Sequence, residues 1–272
     1  MKQLLKFFYT CFFVGNVCLA QQLPNQIQDN LCVSRIFKSL DLEGGFILQN
    51  QEEFLIYNKQ WIETRFIPAS TFKIFHTLIG LDLGLINLDG LFFHYDGEKL
   101  AMKQWEKDMG IGEAIELSNV PAFQKLAKNI GYHNMQRAIK KLQFGNQIIG
   151  TQDDLERFWL QGPLKISPLE IIILLKKLTL KQLPFSLENQ QSVIELLEKN
   201  QNGKILASKT GLSESSDGRY GWIVGWLKER NKTYPFALHL KYPQGMDYAL
   251  RAKVLNLILD RCLFESLPLQ KP

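Results

Sequence analysis

The apolar and polar positions follow strand spacing near both ends of the chain. After a short helix over 30–40, the segments 44–48 and 53–58 form a predicted hairpin. β-Branched and aromatic runs return late in the chain and again predict strands. These late strands cover 205–210, 220–227 and 233–241. An apolar-faced helix over 247–264 is expected to close the chain.

Between these ends the apolar positions recur at helical spacing, with glycine and proline at the joints. The helices predicted here cover 73–83, 120–130, 134–142, 168–178 and 187–200. This order favours a mixed α/β (α+β) fold, in which helices flank an antiparallel sheet assembled from both chain ends. We expect an α/β lobe of about 21–65 and 201–272, and an inserted all-helical lobe of about 66–200.

The first twenty residues have the composition of a secretory signal peptide. A basic start at Lys2 and Lys6 precedes the apolar run 7–15, and the small residue Ala20 stands before a polar stretch. We predict cleavage after Ala20, which leaves 21–272 as a single domain exported to the periplasm. An uncleaved N-terminal anchor is the alternative. The apolar run is short for a membrane span, and no later stretch is apolar enough to form one.

Charge and size restrict the classes of function. The 272 residues include 32 Lys and Arg against 27 Asp and Glu, and the small basic excess is scattered. Because no basic block alternates with aromatic residues, the sequence gives no support for nucleic-acid binding. The chain that remains after cleavage is long enough to bury a sizeable core. A monomer and a homodimer are both compatible with the sequence.

The positions of the cysteines leave disulfide formation open, whereas the positions of the histidines argue against a zinc site. Cys32 and Cys262 remain after removal of the signal peptide, either as a disulfide in an oxidising compartment or as two separately buried thiols. The four histidines are far apart in sequence and form no zinc-binding pattern, so we expect no metal. The histidines assigned to the core or the surface are His76, His94, His133 and His239.

The segment 68–73 combines a helix start with a possible nucleophile and base. Pro68 precedes an apolar, helix-periodic run, so Ser70 is expected in the first helical turn. Lys73 lies three residues later on the same helix face, within reach of the Ser70 hydroxyl. Unpaired backbone N–H groups at a helix start favour developing negative charge. A lone Ser-x-x-Lys match is nevertheless more often an ordinary surface helix start.

Two further motifs could contribute to the same site. Ser118, in the loop before a helix, offers a second hydroxyl, although a plain helix cap explains it equally well. Lys209, Thr210 and Gly211 end a strand pattern. There a lysine and a hydroxyl can hold an anionic group, and glycine allows close approach of a substrate. An edge strand that ends in a turn is the structural alternative for this tripeptide.

In this order, Ser-x-x-Lys, Ser-x-Val and Lys-Thr-Gly resemble the motifs of the active-site serine β-lactamases and penicillin-binding proteins. Finer details resemble class D, the oxacillinase-type β-lactamases. These details are Pro-Ala-Ser-Thr-Phe-Lys at 68–73, Ser-Asn-Val at 118–120, Phe-Gly-Asn at 144–146, Trp159-Leu160, Arg251 and the segment 101–105. The resemblance runs from about Gly45 to the C-terminal helix. One departure is Phe144, where class D enzymes more often have tyrosine.

The resemblance implies hydrolysis of β-lactam antibiotics through an acyl-enzyme on Ser70, and thereby antibiotic resistance. It also implies that Lys73, kept neutral by apolar surroundings, reacts with CO2 to give a carbamate that serves as the base. Trp159 would donate its indole N–H to this carbamate, and Ser118 would relay a proton to the departing ring nitrogen. No other cofactor is implied.

The resemblance also implies which groups bind the substrate. The backbone N–H groups of Ser70 and Leu212 would form the oxyanion hole. The substrate carboxylate would be held by Lys209, Thr210 and Arg251, and Gly211 would belong to the same binding site by allowing close approach of the substrate. The expected pocket wall comprises Phe72, Trp105, Val120, Phe144 and Leu160. Since Phe144 lacks the phenol hydroxyl of tyrosine, we expect no part for it in the chemistry.

Two other functions would use the same nucleophile. A D-Ala-D-Ala peptidase would acylate Ser70 without needing an apolar pocket around Lys73 or an indole at Trp159. A β-lactam-sensing domain would stay acylated, and such domains are normally tethered to a membrane-spanning transducer, which we do not expect here. Val120, Trp159 and the predicted secretion together favour the β-lactamase.

Overall fold

The computed structural model describes residues 28–201, 204–229, 231–242, 245 and 247–263. The predicted signal peptide, residues 1–20, lies outside the described residues. Within the described ranges, no helix is both long enough and apolar enough to cross a membrane.

The strands of the described chain form one antiparallel sheet. Their bounds are β1 Glu43–Asn50, β2 Glu53–Tyr57, β3 Glu198–Gln201, β4 Lys204–Ser215, β5 Gly218–Glu229 and β6 Lys232–Tyr242. Across the sheet the strands are ordered β2-β1-β6-β5-β4-β3. The first strand therefore pairs with the last, with Phe46 opposite Leu238. This order confirms the prediction of an antiparallel sheet assembled from both chain ends.

Helices pack on both faces of this sheet. Their bounds are α1 Leu31–Ser39, α2 Lys59–Glu63, α3 Lys73–Asp82, α4 Ile111–Glu116, α5 Val120–Ile130, α6 Tyr132–Leu142, α7 Pro168–Thr179, α8 Leu187–Leu197 and α9 Leu250–Arg261. A 3₁₀-helix, Ala69–Phe72, directly precedes α3. The mixed α/β class is confirmed, and so are the helices predicted over 73–83, 120–130 and 168–178.

The helix predicted over 187–200 was wrong in its last turn. α8 ends at Leu197, and the next four residues form the edge strand β3, in which Glu198 lies opposite Ala207 of β4. The Glu198 carboxylate accepts a 2.8 Å hydrogen bond from the Trp226 indole on β5. Pairing with β4 and this contact outweigh the local helical pattern, because strand formation depends strongly on tertiary context.

The strand predicted over 205–210 was too short. β4 continues to Ser215 and pairs with β5 from Ile205 onward, so Lys209–Thr210–Gly211 lie inside a strand instead of ending it. The closing helix begins at Leu250, three residues later than predicted, and position 264 lies outside the described residues. The short helices α2 and α4 were not predicted, because they have too few residues to show a helical period.

Side chains of β1 alternate between two apolar layers, as expected for a strand with a period of two. Ile47 packs on the face that carries α3 and α5 to α8, whereas Phe46 and Leu48 pack on the face that carries α1 and α9. Although α7 lies within the predicted helical lobe, it packs against β6 and β1. The division into two lobes with the stated boundaries stays a prediction.

A disulfide connects the two ends of the domain. It joins Cys32 in α1 to Cys262, directly after α9, with Cα atoms 5.6 Å apart. The two helices pack against each other on the same face of the sheet. Of the two alternatives that the sequence left open for these cysteines, the structure contains the disulfide.

Candidate active site

Ser70 lies in the 3₁₀-helix that leads into α3, so the prediction of a helix start is confirmed although the first turn is 3₁₀. The preceding residue, Ala69, has a left-handed φ of 49°, which is unfavourable for a residue with a Cβ and is often found at functional sites. Two contacts hold this turn: Thr71 Oγ1 donates to the Pro68 carbonyl at 2.6 Å, and Trp222 Nε1 donates to the Ile67 carbonyl at 2.9 Å.

Lys73, the first residue of α3, contacts the Ser70 hydroxyl directly. Its Nζ lies 2.8 Å from Ser70 Oγ, as the Ser-x-x-Lys spacing predicted. The side chain is completely buried, and this burial, with the charge of Lys209 as a second cause, lowers the pKa of Lys73 well below its ordinary value. A neutral amine beside a hydroxyl can accept the proton of that hydroxyl.

Ser118 lies between the two lysines of the site. Its Oγ is 3.2 Å from Lys73 Nζ and 3.0 Å from Lys209 Nζ, and its carbonyl accepts from Lys73 at 3.1 Å. The plain helix cap considered for this motif is provided by the next residue, because the Asn119 side chain accepts from Ala122 N at the start of α5. Ser118 itself has a left-handed φ of 55°, which is uncommon for a residue with a Cβ and is often found at functional sites.

The Lys-Thr-Gly strand segment lies against the Ser70 turn. Lys209 is 4% exposed, and burial together with the charge of Arg251 lowers its pKa to about 7. A Cβ on Gly211 would lie 3.0 Å from the Pro68 carbonyl oxygen, so a side chain at this position would press against the Ser70 turn. Arg251, at the start of α9, donates from Nη1 to the Gly211 carbonyl at 2.8 Å. Half-buried Thr210 adjoins them in the strand.

Leu212 follows Gly211 in β4 and pairs with Gly221 of β5. Its backbone therefore continues the strand that lies against the Ser70 turn, on the segment where the second oxyanion N–H was expected. Trp105 donates from Nε1 to the Leu117 carbonyl at 3.0 Å, next to Ser118, so this wall residue also restrains the serine loop.

Two members of the predicted pocket wall, Phe72 and Phe144, form an aromatic cluster with Trp159 behind Lys73. Trp159 is fully buried, and its Nε1 has no hydrogen-bond partner among the described residues. The Phe72 ring contacts it at 6.3 Å between centroids. Phe144 packs edge-on behind Phe72 at 5.1 Å and is also fully buried. The half-buried members of the predicted wall are Val120 and Leu160.

His76 was assigned only to the core or the surface, yet it lies within this cluster. It follows Lys73 by three residues in α3, and its fully buried ring is 4.6 Å from that of Trp159. Neither of its ring nitrogens has a hydrogen-bond partner among the described residues. The signal available in the sequence was its spacing from Lys73, which puts both side chains on one helix face.

The other histidines are a core residue and two surface residues. His239 is buried, and its Nδ1 accepts from Trp61 Nε1 at 3.0 Å. His94 and His133 are exposed. The part of the chain that the structure describes contains no group of three or more His, Cys, Asp or Glu side chains suited to a metal ion.

Comparison with known proteins gives a consistent result. The chain matches the family model of the penicillin binding protein transpeptidase domain over residues 24–260. Beta-lactamase OXA-5 of Pseudomonas aeruginosa is 38% identical over 225 residues, which cover 80% of this chain and 83% of that protein. The crystal structure of FUS-1 (OXA-85), a class D β-lactamase from Fusobacterium nucleatum subsp. polymorphum, is 36% identical with a TM-score of 0.82. That comparison covers 86% of this chain and 98% of FUS-1.

A third relative is named as a regulatory protein and not as a β-lactamase. The regulatory protein BlaR1 of Bacillus licheniformis is 31% identical over 232 residues, which cover 84% of this chain but 38% of BlaR1. OXA-5 and FUS-1, in contrast, match over most of their own length and have higher identity. The chain therefore belongs to the penicillin-binding-protein transpeptidase family and, within it, to the class D serine β-lactamases, which hydrolyse the β-lactam ring.

Proposed function

We propose that this enzyme hydrolyses penicillin-type β-lactams through an acyl-enzyme on Ser70, with a carboxylated Lys73 as the base in both half-reactions. The observation that carries the proposal is the Lys73 amine, which is fully buried and 2.8 Å from Ser70 Oγ. In the producing cell this activity would give resistance to β-lactam antibiotics.

In acylation, Ser70 Oγ forms a bond to the β-lactam carbonyl carbon while its proton passes toward Lys73. The bond from that carbon to the ring nitrogen then breaks, and the nitrogen must take up a proton. Ser118 is suited to deliver this proton, because its hydroxyl contacts both Lys73 and Lys209. In deacylation, water gives up a proton to the base as its oxygen bonds to the ester carbon, and a proton returns to Ser70 Oγ as the ester bond breaks.

The residues around Lys73 fit a carbamate. CO2 reacts only with a neutral amine, and burial lowers the pKa of Lys73 well below its ordinary value. The Trp159 indole N–H, buried and without a partner among the described residues, is a suitable donor to an anionic oxygen. When present, the carbamate supplies an oxyanion base, which a buried amine alone does not. Val120 and Leu160 would limit the access of water to it.

Substrate binding would use the remaining predicted groups. The backbone N–H groups of Ser70 and Leu212 would donate to the developing oxyanion. Lys209 and Thr210 would hold the substrate carboxylate from β4. Arg251 uses one guanidinium nitrogen for the Gly211 carbonyl, and its further donors would bind the carboxylate.

We also propose that the enzyme is exported to the periplasm. The predicted signal peptide supports export, and so does the disulfide between Cys32 and Cys262, because disulfides persist in oxidising compartments. The protein would work as a monomer or a homodimer. Peptide-mapping mass spectrometry of the secreted protein, with Gln21 as the expected first residue, tests the cleavage site.

A β-lactam-binding module that acylates without fast turnover is the second candidate, favoured only by the similarity to a regulatory protein. Steady-state hydrolysis of a chromogenic cephalosporin by the mature protein, combined with mass spectrometry, separates the two. We expect many turnovers per enzyme and little trapped adduct. A stoichiometric adduct on Ser70 without turnover would refute the hydrolase proposal.

The carbamate requires its own measurement. After addition of ¹³C-labelled bicarbonate, the wild-type protein should show a carbamate ¹³C resonance that Lys73→Ala lacks. Activity should fall in CO2-depleted, mildly acidic buffer and recover with bicarbonate. Full activity without the resonance and without dependence on bicarbonate would mean that Lys73 acts as a free amine.

A further inference from the structure

Of the seven buried side-chain polar atoms without a hydrogen-bond partner among the described residues, three lie together near Lys73. Among the described residues, Trp159 Nε1 and both ring nitrogens of His76 are buried without a hydrogen-bond partner. A neutral imidazole always carries one N–H donor and one acceptor, whichever tautomer it adopts. Buried polar groups of native proteins are nearly always paired, because an unpaired one is unfavourable. This cluster is therefore suited to a polar group that the protein carries when it is active.

The geometry places His76 and Trp159 around the same space as Lys73. The imidazole and indole rings are nearly perpendicular, at 81°, with centroids 4.6 Å apart. The Phe123 ring lies 5.4 Å from Lys73 Nζ and 5.8 Å from the His76 ring, so both side chains share one aromatic neighbour. Phe72 packs on His76 from another side at 4.7 Å.

The surroundings keep the imidazole neutral. Burial, with the nearby Lys73 as a second cause, lowers the pKa of His76 to about 3. A neutral imidazole can donate one N–H to an anion without bringing a second buried charge into the pocket. It also leaves the neighbouring amine uncharged, which is the form that CO2 requires.

We propose that His76 is a positioning residue for the modified Lys73, whose neutral imidazole supplies a second N–H donor to the carbamate and holds the Trp159 indole edge-on. The inference rests on the proposed carbamate. A carbamate has two oxygens, and a single indole N–H satisfies only one acceptor site on this buried anion. Because an anion in an apolar pocket is unfavourable unless it is well hydrogen-bonded, a second donor would decide how tightly CO2 is retained.

Two substitutions separate hydrogen bonding from packing. His76→Phe keeps an aromatic ring in the cluster and removes both nitrogens. His76→Asn is smaller and retains an N–H donor. Carbamate occupancy is measured for each mature protein by the ¹³C resonance over a bicarbonate titration. Thermal unfolding with and without bicarbonate gives a second readout, because a ligand that binds only the native state raises the Tm.

We expect the half-saturating bicarbonate concentration to rise about 10- to 100-fold in His76→Phe, as for loss of one hydrogen bond to a charged group. His76→Asn should recover most of this affinity. In CO2-depleted buffer His76→Phe should unfold at the wild-type Tm or above, since it removes unpaired buried polar atoms, but it should gain less Tm from bicarbonate.

Two results would overturn the role of His76: a wild-type bicarbonate midpoint in His76→Phe, or an equal loss of affinity in both variants. The proposed function fails differently. If the wild-type protein shows no carbamate resonance, there is no carbamate on Lys73, and the inference about His76 falls with it.

Discussion

Lys73 and Lys209 both contact the Ser118 hydroxyl, with Nζ–Oγ distances of 3.2 and 3.0 Å. Two ammonium groups so close would repel each other, and burial disfavours the charged form of each. Burial lowers the pKa of Lys73 well below its ordinary value, and the pKa of Lys209 to about 7. Lys73 is therefore the neutral partner, and Lys209 is the one that can carry charge near neutral pH.

This difference predicts an alkaline limb in the pH profile. We expect kcat/KM for anionic β-lactams to decline at alkaline pH, because burial and Arg251 keep the pKa of Lys209 below its ordinary value, and Lys209 then loses the charge that attracts the substrate carboxylate. In Lys209→Arg the guanidinium stays charged, so the decline should move to higher pH even if the maximal rate is lower. A wild-type profile that stays flat from about pH 6 to about pH 10 would contradict the role of Lys209.

Arg251 is expected to contribute mainly to substrate affinity. Arg251→Ala should raise KM for penicillins by tens of fold with little change in kcat, because a hydrogen bond to a charged group contributes about 1.5–3 kcal/mol. Lys253→Ala is the matched control, since Lys253 is an exposed cation two residues later in α9, paired with Asp247 at 3.8 Å. If both variants keep the wild-type KM, Arg251 does not bind the carboxylate.

At the scale of single residues, the sequence predicted which side chains lie together better than it predicted their backbone conformation. Ser70, Lys73 and Ser118 meet as the motifs indicated, because motif spacing reflects a geometry that the chemistry requires. The left-handed φ of Ala69 was not predictable, since that conformation is unfavourable for alanine and depends on the surrounding contacts. The place of His76 beside Trp159 was missed because its only signal in the sequence is the three-residue spacing from Lys73, and a single histidine at that spacing is not distinctive.

Among the elements, the contact between β4 and the Ser70 turn controls the site. A Cβ on Gly211 would lie 3.0 Å from the Pro68 carbonyl oxygen and 3.2 Å from Thr71 Cγ2. Gly211→Ala should therefore push the turn away, lowering kcat and lowering the free energy of unfolding by about 1–3 kcal/mol. Chemical denaturation and steady-state kinetics measure both effects.

Gly112→Ala serves as the control for this prediction. Gly112 lies in α4, and a Cβ there would be 3.5 Å from Leu196 Cδ2, an ordinary contact. This variant should keep the wild-type kcat and be at least as stable, because alanine favours a helix over glycine. Wild-type kcat and stability in Gly211→Ala would show that β4 does not position the Ser70 turn.

Helices and strands were predicted correctly where one hydrophobic period runs through a long segment. The predictions failed where pairing with a neighbouring strand determined the local structure. α5 and α7 carry clear helical spacing and were predicted within one residue. The last turn predicted for α8 became β3, because β4 offers it an open sheet edge. The strand containing Lys209 was predicted to stop after six residues, since Gly211 and the polar residues beyond it weaken the local pattern, yet pairing with β5 extends it.

At the scale of the whole molecule, the sheet is assembled from strands that are far apart in the sequence. β1 pairs with β6 inside this sheet, and Arg251 reaches the site from the helix that follows β6. The ends of the domain are also joined covalently, since the disulfide links positions 230 residues apart. Sequence patterns indicated the mixed fold, because the order of elements is local information. They left the disulfide open, because cysteine pairing depends on the folded geometry.

The double variant Cys32→Ser/Cys262→Ser tests what this covalent link contributes. Because the bond closes a loop of 230 residues, its removal gives the unfolded chain much more freedom, and the free energy of unfolding should drop by about 2–4 kcal/mol. The KM for penicillins at 25 °C should stay close to wild type, since Cys262 lies at the far end of α9 from Arg251. Urea unfolding of the oxidised wild type, the reduced wild type and the double variant gives the comparison. The reduced wild type and the double variant should share one urea midpoint, below that of the oxidised wild type. An unchanged midpoint in both would mean that α1 and α9 hold the chain ends together without the disulfide.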